Sequence, residues 1–93
     1  MYELIATNQF KKDLKRIKKR KQSDLTLIET VLSKLKSKGV EGISNSMYPH
    51  KLQGNYKDNW ECHIKPDLLI IWIQIEKPKT VRLVRIGTHS DLF

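Results

Sequence analysis

Apolar residues recur along this 93-residue chain with a helical spacing in the first half and an alternating one in the second. Tyr2 to Ala6 is short and mostly apolar, enough for a first strand. Thr7 or Asn8 then offers an N-cap side chain, and Phe10, Leu14 and Ile17 recur at i, i+4 and i+7, the buried stripe of a helix whose remaining circumference is basic. Gln22, Ser23 and Asp24 break that helix and supply a new cap. Leu25, Ile28, Val31, Leu32 and Leu35 form a wider stripe that ends at Gly39, a residue suited to a helix stop. The pattern predicts a helical hairpin, followed by a loop of Gly, Ser, Asn and Pro from Gly39 to Pro49.

His50 to Leu52 reads as a short extended segment closed by the turn Gln53-Gly54-Asn55. Trp60, Cys62 and Ile64 then alternate with Glu61, His63 and Lys65, giving a strand with two different faces. After Pro66-Asp67 comes LLIIWIQI, apolar on both faces and so a central strand, and Pro78-Lys79 turns the chain into TVRLVRI. An N-terminal strand and helical hairpin packed on one face of a mostly antiparallel sheet is an α+β fold. Residues 1–93 are expected to form a single domain that buries roughly 60–65% of its unfolded surface, so any active site should be open and shallow.

Charge changes the picture of the first helix. The formal net charge is +8, and residues 1–40 hold eleven Lys or Arg against four acids, whereas residues 41–93 hold seven against six. The centre is KKDLKRIKKRK, Lys11 to Lys21, with eight basic residues and one acid. Such a run often forms a solvated helix face, but this density repels itself unless a phosphate backbone or an acidic protein compensates it. Lys11, Lys12, Lys15 and Lys18, with Lys51 in the second half, are therefore candidates for RNA contact. The lone cysteine, Cys62, rules out an internal disulfide or CxxC motif and suits a reducing compartment. The longest apolar run, Leu68 to Ile73, falls far short of the ~20 residues that span a bilayer, and the N-terminus has no signal-like pattern. A soluble, unprocessed cytoplasmic protein without a membrane partner is expected.

Candidate chemistry gathers in the second half. All three histidines, His50, His63 and His89, lie there beside turns. Val81, Leu83 and Arg85 are expected to share one side of the last strand, Glu61, His63 and Lys65 one side of the strand at 60–65. Gly87, free to adopt unusual backbone angles, would then turn the chain and set His89 near Arg85. Any one of these residues alone reads as an ordinary surface side chain. A zinc site is disfavoured because Cys62 and His63 point to opposite sides of a strand and no pair has a metal-ligand spacing. A Ser-His-Asp triad fails because Ser90 and Asp91 directly adjoin His89. Histidines, a carboxylate and an arginine on a basic domain suit RNA cleavage without a metal or other cofactor. The 2'-hydroxyl must lose a proton, the leaving 5'-oxygen must gain one, and the phosphorane charge must be stabilised. Histidine titrates near neutrality and arginine grips phosphoryl oxygens in bidentate fashion.

Three blocks, HKLQGNY (His50 to Tyr56), WECHIKPDL (Trp60 to Leu68) and RIGTHSDLF (Arg85 to Phe93), together resemble the RelE/ParE superfamily of bacterial toxins, within it the YafQ-type mRNA interferase branch. The first half matches only in pattern. The resemblance implies a RelE-like fold and a toxin of a type II toxin-antitoxin system. Its activity would be ribosome-dependent cleavage of mRNA in the A site, against ribosomal RNA, and a cognate antitoxin with an acidic segment would restrain it. Matching functional positions are His50, His63, Asp67, Arg85, His89 and Phe93. The resemblance assigns Arg85 to the phosphorane, His89 to general acid and Phe93 to a base of the message. His50, His63 and Glu61 are candidates for the general base, with His50 favoured, and Asp67 would orient a histidine. Glu61 stands where the branch has aspartate. Leu68 stands where it has an aromatic residue, which leaves a stacking role to another side chain such as Trp60. A ParE-like gyrase inhibitor of the same fold, or a basic RNA-binding module without catalysis, remains the alternative reading.

Overall fold

Thr7 ends the first strand and starts the first helix, and this junction organises one edge of the molecule. Its hydroxyl donates to the Leu83 carbonyl at 2.9 Å, and its oxygen accepts the Phe10 N–H at 3.2 Å as the N-cap. The computed structural model describes residues 1–93. Strands β1 (Glu3–Ala6), β2 (His50–Lys51), β3 (Trp60–Lys65), β4 (Leu68–Glu76) and β5 (Lys79–Gly87) form one five-stranded sheet in the order β1-β5-β4-β3-β2. β1 runs parallel to β5, and the other pairings are antiparallel. Helices α1 (Asn8–Arg20) and α2 (Leu25–Lys38) cover one face, and a short helix α3 (His89–Leu92) follows β5. The expected α+β architecture is the one observed.

β4 explains its apolar run by being buried on both sides. Leu68, Ile70 and Trp72 pack with Phe10, Ile17, Ile28, Val31 and Leu35 beneath the helices, while Leu69 and Ile71 pack with Leu92 of α3 on the opposite face. Burying each such large side chain contributes about 1.5–3 kcal/mol. Gly39 closes α2 with φ 63°, a backbone conformation that favours glycine, and a Cβ there would also press on the Gln74 amide at 2.8 Å. Asp24, expected to cap α2, makes no capping hydrogen bond. It accepts instead from Lys65 Nζ at 2.9 Å, anchoring the helix junction to the end of β3.

Two register shifts overturn the expected strand faces. Between Ile71 and Trp72 the partners on β5 are Arg85 and Leu83, so Val84 is an extra residue. Such a bulge breaks the alternation. Val81 and Leu83 pack under the helices, Val84 packs in the opposite cluster, and Arg85 lies across from Ile71 of that same opposite cluster. Arg85 therefore does not share a side with Val81 and Leu83; the bulge turns it to the face the long helices leave uncovered. A second shift, between His63 and Lys65, sets Lys65 opposite Leu68 and parts it from Glu61 and His63.

The α1 stripe also differs from its expected form. Leu14 is only partly buried, and Asp13 is fully buried between Phe10 and Ile17. The reason lies at the sheet edge. β1 pairs with β5 only as far as Leu83, leaving the outer edge of residues 84–87 without a strand partner. α1 fills this gap, and Asp13 accepts the Ile86 N–H at 3.1 Å and two bonds from Arg85, from Nε at 2.8 Å and from Nη2 at 3.1 Å. Burial alone would raise the Asp13 pKa, but the Arg85 fork, the Ile86 N–H and the Gln9 amide outweigh it and hold the carboxyl below its ordinary value.

Removing the Asp13 carboxylate strands a buried cation and a buried N–H. Asp13→Ala is expected to lower stability by roughly 3–5 kcal/mol in urea unfolding. Because the folded pKa of Asp13 is depressed, its contribution is complete above the unfolded carboxyl value of about 4 and is lost as pH falls through the folded value. Wild-type stability should fall across that acid range more steeply than that of Asp13→Asn.

Candidate active site

Four strands bring the reactive residues into register on the face opposite α1 and α2. His50 of β2 pairs with Glu61 of β3, Glu61 with Ile71 of β4, and Ile71 with Arg85 of β5, one continuous cross-strand row. His63, two residues along β3, pairs with Leu69, which pairs with Gly87. Side chains two residues apart on a strand, or directly opposite across a ladder, share a face. Thus His50, Glu61, His63 and Arg85 stand over the apolar floor of Leu69 and Ile71.

His50 is held at both nitrogens. Nδ1 donates to the Tyr48 carbonyl at 2.8 Å, and Nε2 lies 3.2 Å from Glu61 Oε1. Glu61 is almost entirely buried, and its second oxygen, Oε2, has no partner. An unsatisfied buried carboxylate oxygen costs free energy unless it is used. Tyr48 itself is left-handed, at φ 58° and ψ 53°, although it precedes a proline. A non-glycine residue held there costs on the order of 1–3 kcal/mol, and such strain concentrates at functional sites. The His63 ring lies 6.3 Å from the Tyr48 ring.

Arg85 and the C-terminal helix form the other half. While Nε and Nη2 of Arg85 bind Asp13, Nη1 donates to the Tyr56 hydroxyl at 3.4 Å. The bonds to Asp13 push the guanidinium pKa above its ordinary value, so its charge is permanent. Gly87 lies in β5 and has no positive φ, so it does not act by adopting an unusual turn. Its role is clearance: a Cβ would come within 3.0 Å of the Asp91 side chain and 3.2 Å of Arg16 Nη2. Asp91 accepts the Thr88 N–H at 3.0 Å while Thr88 accepts the Asp91 N–H at 3.1 Å, a reciprocal capping box that starts α3. The Thr88 backbone bond and the nearby charges of Arg16 and Arg20 outweigh burial and hold the Asp91 pKa down. Arg20 Nη2 reaches Asp91 at 3.2 Å and Arg16 Nη2 at 3.6 Å, so α1 ties down α3.

Asp67 orients His89 through the backbone rather than the ring: its Oδ1 accepts the His89 N–H at 3.0 Å. The His89 ring is exposed and lies 5.2 Å from Phe93, which in turn meets Tyr56 edge-on at 5.8 Å. Trp60 does not face this surface. It stacks on Trp72 in the helix-side cluster at 6.4 Å, with Lys51 5.5 Å above its ring, and Leu68 is buried in the same cluster. Lys51 therefore points away from His50. Lys11, Lys12, Lys15 and Lys18 are all exposed on α1. Burial and the neighbouring Glu61 charge push the Cys62 thiol up to about 12, which keeps it protonated and unreactive. No three His, Cys, Asp or Glu side chains converge as a metal site would require. Sequence reasoning missed Asp13 and Tyr56. The one acid inside KKDLKRIKKRK was the visible sign of the first; nothing in the local sequence marked the second.

This sheet, with its basic α1 and its row ending in an arginine and a C-terminal histidine, belongs to the toxins of type II toxin-antitoxin systems. The family model described as "Bacterial toxin of type II toxin-antitoxin system, YafQ" matches residues 2–93, and the chain is a member of that family. It is 30% identical over 93 residues to the mRNA interferase toxin YafQ of Escherichia coli K12, covering 94% of this chain and 90% of that protein. The toxin in a crystal structure of the E. coli DinJ–YafQ complex superposes with a TM-score of 0.87 at 27% identity, over 100% of this chain and 99% of that one. A metal-bound toxin from Helicobacter pylori superposes with a TM-score of 0.86 at 36% identity, over the whole of both chains.

Gly87→Ala tests whether clearance at this one position sets α3. The added Cβ is expected to displace Asp91, loosen the capping box and lower the melting temperature by about 4–8 °C for each kcal/mol lost. NMR signals of the His89 and Phe93 rings should shift and broaden, whereas those of Trp72 should stay in place.

Proposed function

We propose that this chain is an mRNA endoribonuclease that acts on message in the ribosomal A site and is restrained by a cognate antitoxin in the cytoplasm. The observation that carries this reading is the cross-strand row His50–Glu61–Ile71–Arg85, with His89 held beside its end by Asp67. The relatives named mRNA interferase toxins support it, and so does the basic face of α1, which suits ribosomal RNA.

In this mechanism the 2'-hydroxyl gives its proton to the His50–Glu61 pair as the O2'–P bond forms. The Tyr48 carbonyl holds the Nδ1 proton and fixes the half-exposed His50 ring, which leaves Nε2 to accept, and the buried Glu61 Oε1 at 3.2 Å steadies the imidazolium that results. His63 flanks the same step. Arg85 stabilises the phosphorane. Because Nε and Nη2 are committed to Asp13, Nη1, now shared with Tyr56, is the edge that turns to the phosphoryl oxygens. The P–O5' bond breaks and His89 protonates the departing oxygen, leaving a 2',3'-cyclic phosphate and a 5'-hydroxyl. The exposed Phe93 ring beside His89 packs against a base. An antitoxin segment rich in Asp and Glu would compete with RNA for the basic α1.

His89→Ala is expected to slow cleavage of message on programmed ribosomes by about 10²- to 10⁴-fold. For the arginine, Arg85→Gln is the better variant, since an amide still donates to the buried Asp13 carboxylate. It should cost about 10²- to 10³-fold with the fold retained by circular dichroism. Full growth arrest with intact message in either variant would favour a gyrase-poisoning toxin instead.

Replacing Lys11, Lys12, Lys15 and Lys18 together with Gln should weaken ribosome binding and flatten its dependence on salt, since fewer phosphate counterions are released. Single-turnover cleavage at saturating ribosomes should change little. An equal loss in both would place α1 within the chemistry.

A further inference from the structure

Tyr48 is a large aromatic side chain left 71% exposed, and the backbone is strained to keep it there. Its N–H donates to the Asn45 carbonyl at 3.0 Å and its carbonyl accepts His50 Nδ1 at 2.8 Å, so both backbone groups lock the left-handed geometry. The ring centroid lies 5.5 Å from that of His50 and 6.3 Å from that of His63. Beside it opens a cleft of about 410 Å³ lined by Ser46, Met47, Tyr48, His63, Lys65 and Pro66. That volume falls within the roughly 300–1,000 Å³ typical of small-ligand pockets. Its walls are an aromatic face, an imidazole and a proline, with the stem of Lys65, whose ammonium is held by Asp24 at 2.9 Å.

Residues such as Trp60 and Leu68 are closed to this role because both pack beneath the helices. Among the aromatic side chains, only Tyr48 and Phe93 count as exposed. Phe93 stands beside His89, following β5, and Tyr48 stands beside His50 at the β2 edge. Single-stranded RNA is read by splaying its bases onto aromatic rings.

We propose that Tyr48 and the adjoining cleft form a nucleobase-stacking subsite, which holds a base of the message on the His50 side of the scissile phosphate while Phe93 holds one on the His89 side. This deepens the nuclease reading and rests on it. The left-handed backbone leaves the ring exposed, and the Tyr48 carbonyl, which any side chain there keeps, holds the His50 ring beside the subsite.

The test compares wild type with Tyr48→Phe, Tyr48→Trp, Tyr48→Ala and Tyr48→Gly in cleavage of message on programmed ribosomes, separating KM from the single-turnover rate at saturation. Phe and Trp should stay near wild type. Ala and Gly should raise KM by roughly 5- to 100-fold, the effect of losing one stacked base, with the saturated rate little changed. In a His89→Ala background, 2-aminopurine placed next to the cleaved bond should be quenched by protein with Tyr48 and not with Tyr48→Ala. Glycine adopts the left-handed geometry without strain, so wild-type KM in Tyr48→Gly would reduce the residue to a turn former and overturn the subsite. Wild-type KM in Tyr48→Ala, with antitoxin binding weakened instead, would reassign the ring to the partner and overturn it too. Message left intact by the wild type would overturn the nuclease reading itself, and the subsite with it.

Discussion

A single buried carboxylate, that of Asp13, joins three parts of the molecule that would otherwise be independent. It completes the hydrogen bonding of β5 where β1 runs out, by accepting the Ile86 N–H, and it grips Arg85 with both oxygens. Arg16 adds a third connection, reaching Asp13 at 3.2 Å and Asp91 at 3.6 Å. Burying an ionised carboxylate is unfavourable in itself, and only a full set of donors makes it tolerable. The arrangement is therefore all-or-none: helix α1, the bulge at Val84 and the arginine must be in place together.

This linkage explains how a small protein presents chemistry on an open sheet. The sheet face and the cleft beside Tyr48 are open to solvent, so the groups on them are not oriented by enclosure. They are oriented instead by ties to rigid neighbours: His50 by the Tyr48 carbonyl and Glu61, Arg85 by Asp13 and Tyr56, and the His89 backbone by Asp67. The outward groups stay free of polar side-chain ties, among them the His63, His89, Phe93 and Tyr48 rings. A site built this way is preorganised at its anchors and adaptable at its free edges, which suits the proposed RNA substrate.

The basic helix has two separate duties on its two sides. Lys11, Lys12, Lys15 and Lys18 face solvent, while Asp13, Arg16 and Arg20 face β5 and α3. Charge density on the outer side attracts polyanions over a distance set by screening. Charge on the inner side acts through short contacts with buried or half-buried partners. A net charge read along the sequence merges these roles, although one concerns association and the other the geometry of the site.

Periodicity, with capping and turn residues, determined the order of the strands and the two long helices and the apolar central β4, because these depend on local spacing and solvent exclusion, whereas the short α3 went unread. The blocks around His50, Asp67 and Arg85 to Phe93 also pointed to the toxin family before any geometry was known. What the tertiary structure decided was which face each reactive residue occupies. Strict alternation puts Arg85 with Val81 and Leu83 and puts Lys65 with Glu61, and both assignments fail because one extra residue in a strand reverses every face beyond it. Nor does spacing reveal that Asp13 turns inward from a basic helix, that Gly87 serves by its lack of a side chain, or that Tyr48 rather than Trp60 is the aromatic left in the open. Each of these depends on which atoms from distant parts of the chain meet at the end of β1 or the edge of β2. A one-dimensional pattern carries no record of such meetings.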